Sequence, residues 1–324
     1  MQKIRWGILS TARIAVEKVI PAIQSGQYGE VSAIASRTAK SAQNAAHRWN
    51  VATAYDSYEK LLNDPDIDAV YIALPNHLHV PWSTRALESG KHVLCEKPVA
   101  LNASEAQTLL DATGRSPNIK IMEAFVYRHH PQWQRAKQLI TDGAIGKLRA
   151  IQTLYAYTNR DPGNIRNIAE YGGGALLDIG CYCISLSRFL FGTEPAMING
   201  YMEIDPKFGI DRLTSGMLRF ENGISLFTCA TQLAFFQEVT ILGTEGRIGL
   251  PTPFITPLDR PSHLFLQQKN DLEEIRFAVC NQYAVQCDAF AKAIIENMEV
   301  TTPLTDSVAN MKVMDALERS ARRG

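Results

Sequence analysis

Gly90-Lys91-His92-Val93-Leu94-Cys95-Glu96-Lys97-Pro98 is the stretch whose reading decides the fold. Residues 92–95 form a short, largely apolar run of the kind a strand buried on both faces uses, and it stops at two opposite charges and a proline. A glutamate and a lysine therefore stand at a strand's carboxyl end, the edge where open parallel sheets bind ligands. Most Glu-Lys pairs are solvated turns, so the flanking chain must decide between the two.

Outward from that stretch, strands and helices alternate. Residues 69–74 carry no charge and read as a second buried strand, ending at Pro75-Asn76-His77-Leu78-His79 before a helix closed by Gly90. His77 and His79 lack a third ligand nearby, so they read as polar wall or capping groups and no metal is expected. Residues 3–9 make the first strand, and Ser10-Thr11-Ala12-Arg13-Ile14-Ala15 the turn into a helix ending near Gly26. The Gly-x-Gly-x-x-Gly fingerprint is degraded there: Gly7 lies inside the strand, and Ser10 and Ala12 stand where loop glycines are expected. The next strand, 31–35, ends in Ser36-Arg37-Thr38, about where a dinucleotide's adenosine ribose is read. A hydroxyl and a guanidinium can donate to a 2′-phosphate that an acid would repel, which favours NADP over NAD. A helix over 39–49 follows, then one opened by Asp56 with Glu59, a break at Asp64-Pro65-Asp66, a helix announced by Asn102 and Glu105, and a strand at 119–124. Five strands separated by helices predict an α/β, doubly wound parallel sheet, with room for a sixth strand, in a dinucleotide-binding domain over 1–124.

The pattern changes beyond that point, and residues 125–324 are expected to form a substrate-binding and dimerisation α+β domain. A helix at 131–142 ends at Gly143, and 147–157 is a strand too long and too polar for the first sheet. The loop 158–174, with Asp161-Pro162-Gly163, Arg166 and Gly172-Gly173-Gly174, has no period, and loops of this length are usually functional or mobile. In the helix 176–191, Asp178 and Tyr182 stand four apart on one face. Strands at 196–204, 212–220, 224–232 and 238–243 predict a large, mostly antiparallel open sheet. Two closing helices, 283–296 and 307–319 with Asp306 as cap, are free to cover either the first domain or one face of this sheet.

Composition narrows the classes. Lys plus Arg and Asp plus Glu number 33 each among 324 residues, so nothing attracts nucleic acid or anionic membrane in bulk. Residues 1–5 lack a signal peptide's apolar core, and no apolar run is long enough to span a bilayer. The cysteines at 95, 181, 183, 229, 280 and 287 are scattered without a Cys-x-x-Cys pair, which fits buried reduced thiols in a cytoplasmic protein.

Across nearly its full length the chain resembles the glucose-fructose oxidoreductase / inositol dehydrogenase / MocA family. The resemblance rests on Arg5-Trp6-Gly7-Ile8-Leu9 with Ile14-Ala15, Pro75-Asn76 with His77 and His79, the Glu96-Lys97-Pro98 stretch, Glu123-Ala124-Phe125 with Tyr127-Arg128, Gly172 to Gly180, and Gly243-Thr244-Glu245-Gly246. Tyrosine at 182, where many members have histidine, is more similar to the branch with dihydrodiol dehydrogenase and NADP-dependent D-xylose dehydrogenases. The resemblance implies a Rossmann domain and catalysis by Lys97, often followed by a cis X-Pro bond. It further implies cofactor contacts from Gly7, Ser10, Thr11, Ala12, Arg13, Ile14, Ser36, Arg37, Leu74, Pro75, Asn76, His79, Glu96, Lys97 and Arg166, and substrate contacts from Lys97, Tyr127, Arg128, Asp178 and Tyr182.

The implied reaction moves a hydride between the nicotinamide and a sugar or polyol carbon, as in an aldose 1-dehydrogenase. Alternatives are a carbonyl reductase, a trans-dihydrodiol dehydrogenase, or a non-catalytic dinucleotide-binding module. Tyr182 is the candidate base. A phenol with a reference pKa of about 10 needs about 4 kcal/mol of preferential phenolate stabilisation to reach 7, and an ammonium at about 4 Å supplies roughly that at an effective dielectric near 20. Lys97 is assigned that part, and Asp178 positioning, because its own charge opposes a phenolate. An apolar sheet face left uncovered by helices makes a homodimer or higher homo-oligomer the expected state.

Overall fold

The computed structural model describes residues 3–322, and Met1, Gln2, Arg323 and Gly324 lie outside the description. The chain divides into two compact units, one formed by Met1–Phe125 with Asn281–Val308 and the other by Val126–Cys280 with Ala309–Gly324.

In the first unit, β1 (Ile4–Leu9), β2 (Gly29–Ala35), β3 (Thr53–Tyr55), β4 (Ala69–Ile72), β5 (His92–Cys95) and β6 (Ile121–Glu123) form one parallel sheet in the order β3-β2-β1-β4-β5-β6. The strand that sequence reading left unplaced is β3, three half-buried residues at the sheet's edge with too little apolar pattern to stand out. Register brings the strand ends into line: Leu9 pairs with Ala35 and with Ile72, Ala35 with Tyr55, Ile72 with Cys95, and Cys95 with Glu123. Every loop that follows a strand therefore leaves from the same edge.

Trp6, Ile8, Ile34 and Leu94 are fully buried, each contributing about 1.5–3 kcal/mol by leaving water. The first closing helix, Gln282–Ile295, covers this sheet, with Phe290 against Trp6 at 5.7 Å and Asp288 accepting the Gln27 and Tyr28 amides. Gly7 owes its identity to packing, since a Cβ there would lie 2.5 Å from Leu61. Asn102 caps its helix by accepting the Glu105 amide, and the Glu105 carboxylate accepts the Leu101 amide, as the sequence predicts. Two predicted caps are displaced. Ser57, not Asp56, accepts the Lys60 amide, and Asp56 pairs with the Lys60 ammonium instead. The last helix starts at Leu304, which puts Asp306 inside the first turn, where a carboxylate still suits the helix dipole.

The second unit is built on an eight-stranded sheet of β7 (Leu148–Thr158), β8 (Met197–Ile204), β9 (Asp211–Phe220), β10 (Gly223–Ala230), β11 (Gln232–Gly243), β12 (Gly246–Leu250), β13 (Ser262–Gln268) and β14 (Asp271–Phe277), in the order β14-β13-β12-β11-β7-β10-β9-β8. Only β7 and β10 pair in parallel. Sequence reading missed β12 to β14, because β12 is a short Gly-containing run and β14 is largely exposed and charged.

One face is covered by the segment 176–191 and by the end of the helix Leu304–Ala321, whose Leu317 packs where Gly200 and Gly216 have no side chain. The two closing helices thus divide, the second contributing residues 309–321 to this unit. One segment, Ala169–Phe191, passes for a membrane span by length and composition, contrary to the sequence reading, but its most apolar window is 78% buried within the protein. It is a core element. The opposite sheet face exposes Leu154, Tyr201, Leu226 and Phe236 around a shallow cavity of about 590 Å³.

Candidate active site

Strand ends, loops and helix starts at the carboxyl edge of the first unit hold most of the residues assigned to the cofactor; Gly7 lies inside β1 and Arg166 in the second unit. Ser10 adopts φ +112°, a conformation that favours glycine, and its Oγ accepts the Ala12 amide at 2.9 Å while its own amide donates to Ala35 O. A serine thus makes the turn that the fingerprint assigns to glycine. Ala12 and Ile14 pack on the core, whereas Arg13 extends outward to Glu17. The Thr11 and Ser36 hydroxyls lie 3.4 Å apart, Ser36 buried and Arg37 exposed beside it.

The loops after β4 and β5 are joined by side chains. His79 is fully buried, with Nε2 2.8 Å from Leu74 O and Nδ1 2.7 Å from Pro98 O. Pro75 and Asn76 begin the short turn that leads to it. Tyr71 donates its hydroxyl to one Glu96 carboxylate oxygen, and the Lys97 amide donates to the other at 3.3 Å. The Lys97–Pro98 peptide is cis. The Val99 amide donates to Glu123 Oε1 at 2.9 Å, and Glu123 is itself buried. Lys97 therefore sits on a turn whose backbone is gripped by His79 and Glu123.

In the second unit the site helix opens with a π-helical turn, Leu176–Gly180, that runs into the α-helix Cys181–Phe191. Its entry is set by Asp211, which accepts the Leu176 amide at 2.7 Å and the Thr214 hydroxyl at 2.5 Å. Gly174, at φ +115°, makes room, because a Cβ there would lie 2.0 Å from Asp211 Oδ1. Asp178 is buried and accepts the Tyr157 hydroxyl at 2.5 Å and Arg166 Nε at 3.0 Å through the same oxygen. Burial, then the Asp178 charge, raise the Tyr157 pKa, so Tyr157 stays a protonated donor. Tyr182 stands in an aromatic cluster, with ring centroids 5.7 Å from Tyr127, 6.1 Å from Tyr155 and 5.4 Å from Phe254. Phe254 is held by backbone bonds from the segment around it: Gln237 accepts the Phe254 and Ile255 amides, and Trp133 donates to Pro253 O.

Of the residues assigned to substrate, Tyr127 bonds Ser185 through its hydroxyl and the buried Arg128 guanidinium donates to Ser185 as well, so both pack the site helix. Arg166, assigned to the cofactor, is placed on Asp178. Sequence reasoning missed Tyr157, Asp211 and Phe254. Tyr157 closes the long strand just before the irregular loop, a position that carried a signal; Asp211 and Phe254 meet the helix only through tertiary folding.

The oxidoreductase-family profile for the NAD-binding Rossmann fold matches residues 4–125, and the corresponding C-terminal domain profile matches 133–249. An uncharacterized oxidoreductase of Rhizobium meliloti, ORF334, is 44% identical over 100% of this chain and 98% of its own. The chain belongs to the glucose-fructose oxidoreductase / inositol dehydrogenase / MocA family. Another family relative, D-xylose 1-dehydrogenase (NADP(+)) 2 of Haloferax volcanii, is 33% identical over 98% of both chains. Among solved family structures, the 3-ketoreductase KijD10 from Actinomadura kijaniata with NADP and TDP-benzene superposes with a TM-score of 0.92 at 28% identity over 98% of both chains.

Buried histidines give this family member a pH signature. Burial pushes His79, His129 and His130 each down to about 4, the neighbouring Arg128 adding to the effect at His129. Nδ1 of His130 accepts the Gln132 amide, a role only the unprotonated nitrogen can fill. A histidine with a lowered folded pKa gives stability that is present above its unfolded value near 6.5 and is lost as pH falls towards 4. Asp211 opposes this: burial pushes it up to about 6, so its contribution is present in acid and is lost as pH rises through 6. Burial lowers His92 as well, so four histidines stand against Asp211, and the midpoint of thermal unfolding is expected to fall between pH 7 and 4.5. A flat or rising midpoint in a fluorescence melt would contradict the histidine assignment.

Proposed function

We propose that this chain is an NADP-dependent oxidoreductase that transfers hydride between the nicotinamide and a carbinol or hemiacetal carbon of a sugar or polyol. The observation that carries the reading is the gripped turn after β5, which delivers Lys97 at the edge where six strand ends align. The Haloferax relative is named for D-xylose and NADP, and the A. kijaniata structure contains NADP. The residues present fit such a cofactor: Ser10 makes the glycine-type turn, and Ser36-Arg37 offer donors where an NAD site carries an acid. NADP, when bound, accepts or returns the hydride. Lys97 holds the reacting oxygen, Tyr182 takes the hydroxyl proton as base, and Asp178, fixed by Tyr157 and Arg166, orients the substrate. Run in reverse, the same groups reduce a ketone, a reading favoured by the likeness to the 3-ketoreductase.

Lys97→Ala and Tyr182→Phe are each expected to lower turnover about a hundredfold or more, the scale of a lost acid-base group, while NADPH still binds in a fluorescence titration. Near-normal rates in either variant, or no reduced cofactor from the wild type with any of a panel of aldoses and polyols, would remove this mechanism. Cofactor choice is read from paired kinetics. Arg37→Asp is expected to lower the NADP over NAD preference about tenfold or more, as loss of a charged hydrogen bond to phosphate would. A wild type that already prefers NAD contradicts the assignment.

The exposed sheet face of the second unit, with Tyr201 62% and Phe236 47% exposed, is the surface for a second copy of the chain, and a homodimer is the proposed state. Phe236→Glu is expected to shift the mass in light scattering from dimer to monomer; a monomeric wild type at micromolar concentration would contradict this. The six free thiols, five of them buried, support a cytoplasmic location.

A further inference from the structure

The β5 ladder ends at Cys95, and beyond the half-buried Glu96 and Lys97 the chain is buried again at Pro98, Val99 and Ala100. Backbone groups there have left the sheet and must find partners elsewhere. Two of them do so through side chains: Pro98 O faces His79 Nδ1, and the Val99 amide donates to Glu123 Oε1. These side chains come from the start of the helix after β4, His79–Glu88, and from the end of β6; β4 and β6 are the strands on either side of β5. Each is placed in turn, His79 with its other nitrogen 2.8 Å from Leu74 O and Glu123 by its own carbonyl, which accepts the Thr302 hydroxyl at 3.2 Å. A lysine side chain is long and flexible. Where its ammonium is presented depends on how firmly its backbone is held.

We propose that His79 and Glu123 are positioning residues for Lys97, clamping the turn on either side of Pro98 so that the ammonium is offered at one place on the sheet edge. The inference deepens the reading of Lys97 as catalytic and rests on it for its effect on turnover. Two features favour clamping over simple packing. Both side chains bond the backbone of this one turn, within two residues of Lys97, and both are almost wholly buried, His79 at 0% and Glu123 at 1% exposed. The histidine is also kept neutral by burial, so it carries a single N–H; the clamp places it on Nδ1, donating to Pro98 O, and a substituent that donates nothing frees that carbonyl.

The test measures the lysine directly. The folded protein is treated with a trace of isotope-labelled acetic anhydride, and the labelling of Lys97 relative to the exposed Lys40 is read by peptide mass spectrometry. His79→Phe and Glu123→Leu are each expected to change that ratio at least threefold, and Glu123→Gln, whose amide oxygen can still accept from Val99, to bring it at least halfway back. Hydrogen exchange at the Val99 amide should rise at least tenfold in Glu123→Leu. The histidine and glutamate variants report independently, so a misfolded one does not silence the test. Unchanged Lys97 labelling in the folded variants overturns the proposal. Turnover separates it from the parent reading: if Lys97 is catalytic, Glu123→Leu lowers kcat in the wild type and adds nothing in the Lys97→Ala background. A labelling change with turnover unaffected, including by Lys97→Ala, keeps the clamp and removes the catalytic assignment.

Discussion

Buried backbone polar groups must be paired, and in this protein that requirement is most exacting just past the carboxyl ends of the parallel strands. Register places Leu9, Ala35, Tyr55, Ile72, Cys95 and Glu123 side by side, so six loops leave one edge together. Beyond β1 and β5 the ladder gives out, and side chains hold the loops: Ser10 Oγ on the Ala12 amide, His79 on Pro98 O, Glu96 on the Lys97 amide, Glu123 on the Val99 amide. A loop pinned this way keeps its shape when a ligand arrives. The edge is preorganised, and the cost of ordering it is met during folding.

The second unit solves the same problem for a helix. The Leu176 amide at the entry of the segment 176–191 meets the Asp211 carboxylate, and Gly174 supplies the space and the backbone angle that this approach needs. Two residues on, Asp178 is fixed by a phenol and a guanidinium from the strand and loop before it. Tyr182 follows in a wall of aromatic rings whose member Phe254 is tied down by Gln237. Each chemical group is thus supported by a neighbour that does no chemistry.

Much of this was legible in the sequence because it is local. Uncharged runs such as 69–74, stopping at Pro75-Asn76, announce buried strands and the edge at which they end. The pair Asn102 and Glu105 announces a helix start, and Asp178 and Tyr182 their common element. Weakly patterned pieces escaped: β3 is three residues long, and β14 shows a charged, exposed face. Ser57 outcompeted Asp56 as a cap because Asp56 found Lys60 one turn away. The supports of the site were the hardest to see, since Glu123, Asp211 and Phe254 take their roles from chain segments far from them in sequence. Glu123 opens the Glu123-Ala124-Phe125 motif, yet nothing in its local pattern shows that it accepts from Val99.

The most direct measurement of the central claim, a direct hydride transfer run by this edge, is a single turnover with NADP and an aldose deuterated at C1, followed by NMR of the reduced cofactor. The account predicts deuterium at C4 of the nicotinamide and a slower transfer than with the unlabelled sugar. Reduced cofactor without deuterium, or sugar oxidation without cofactor reduction, would contradict it.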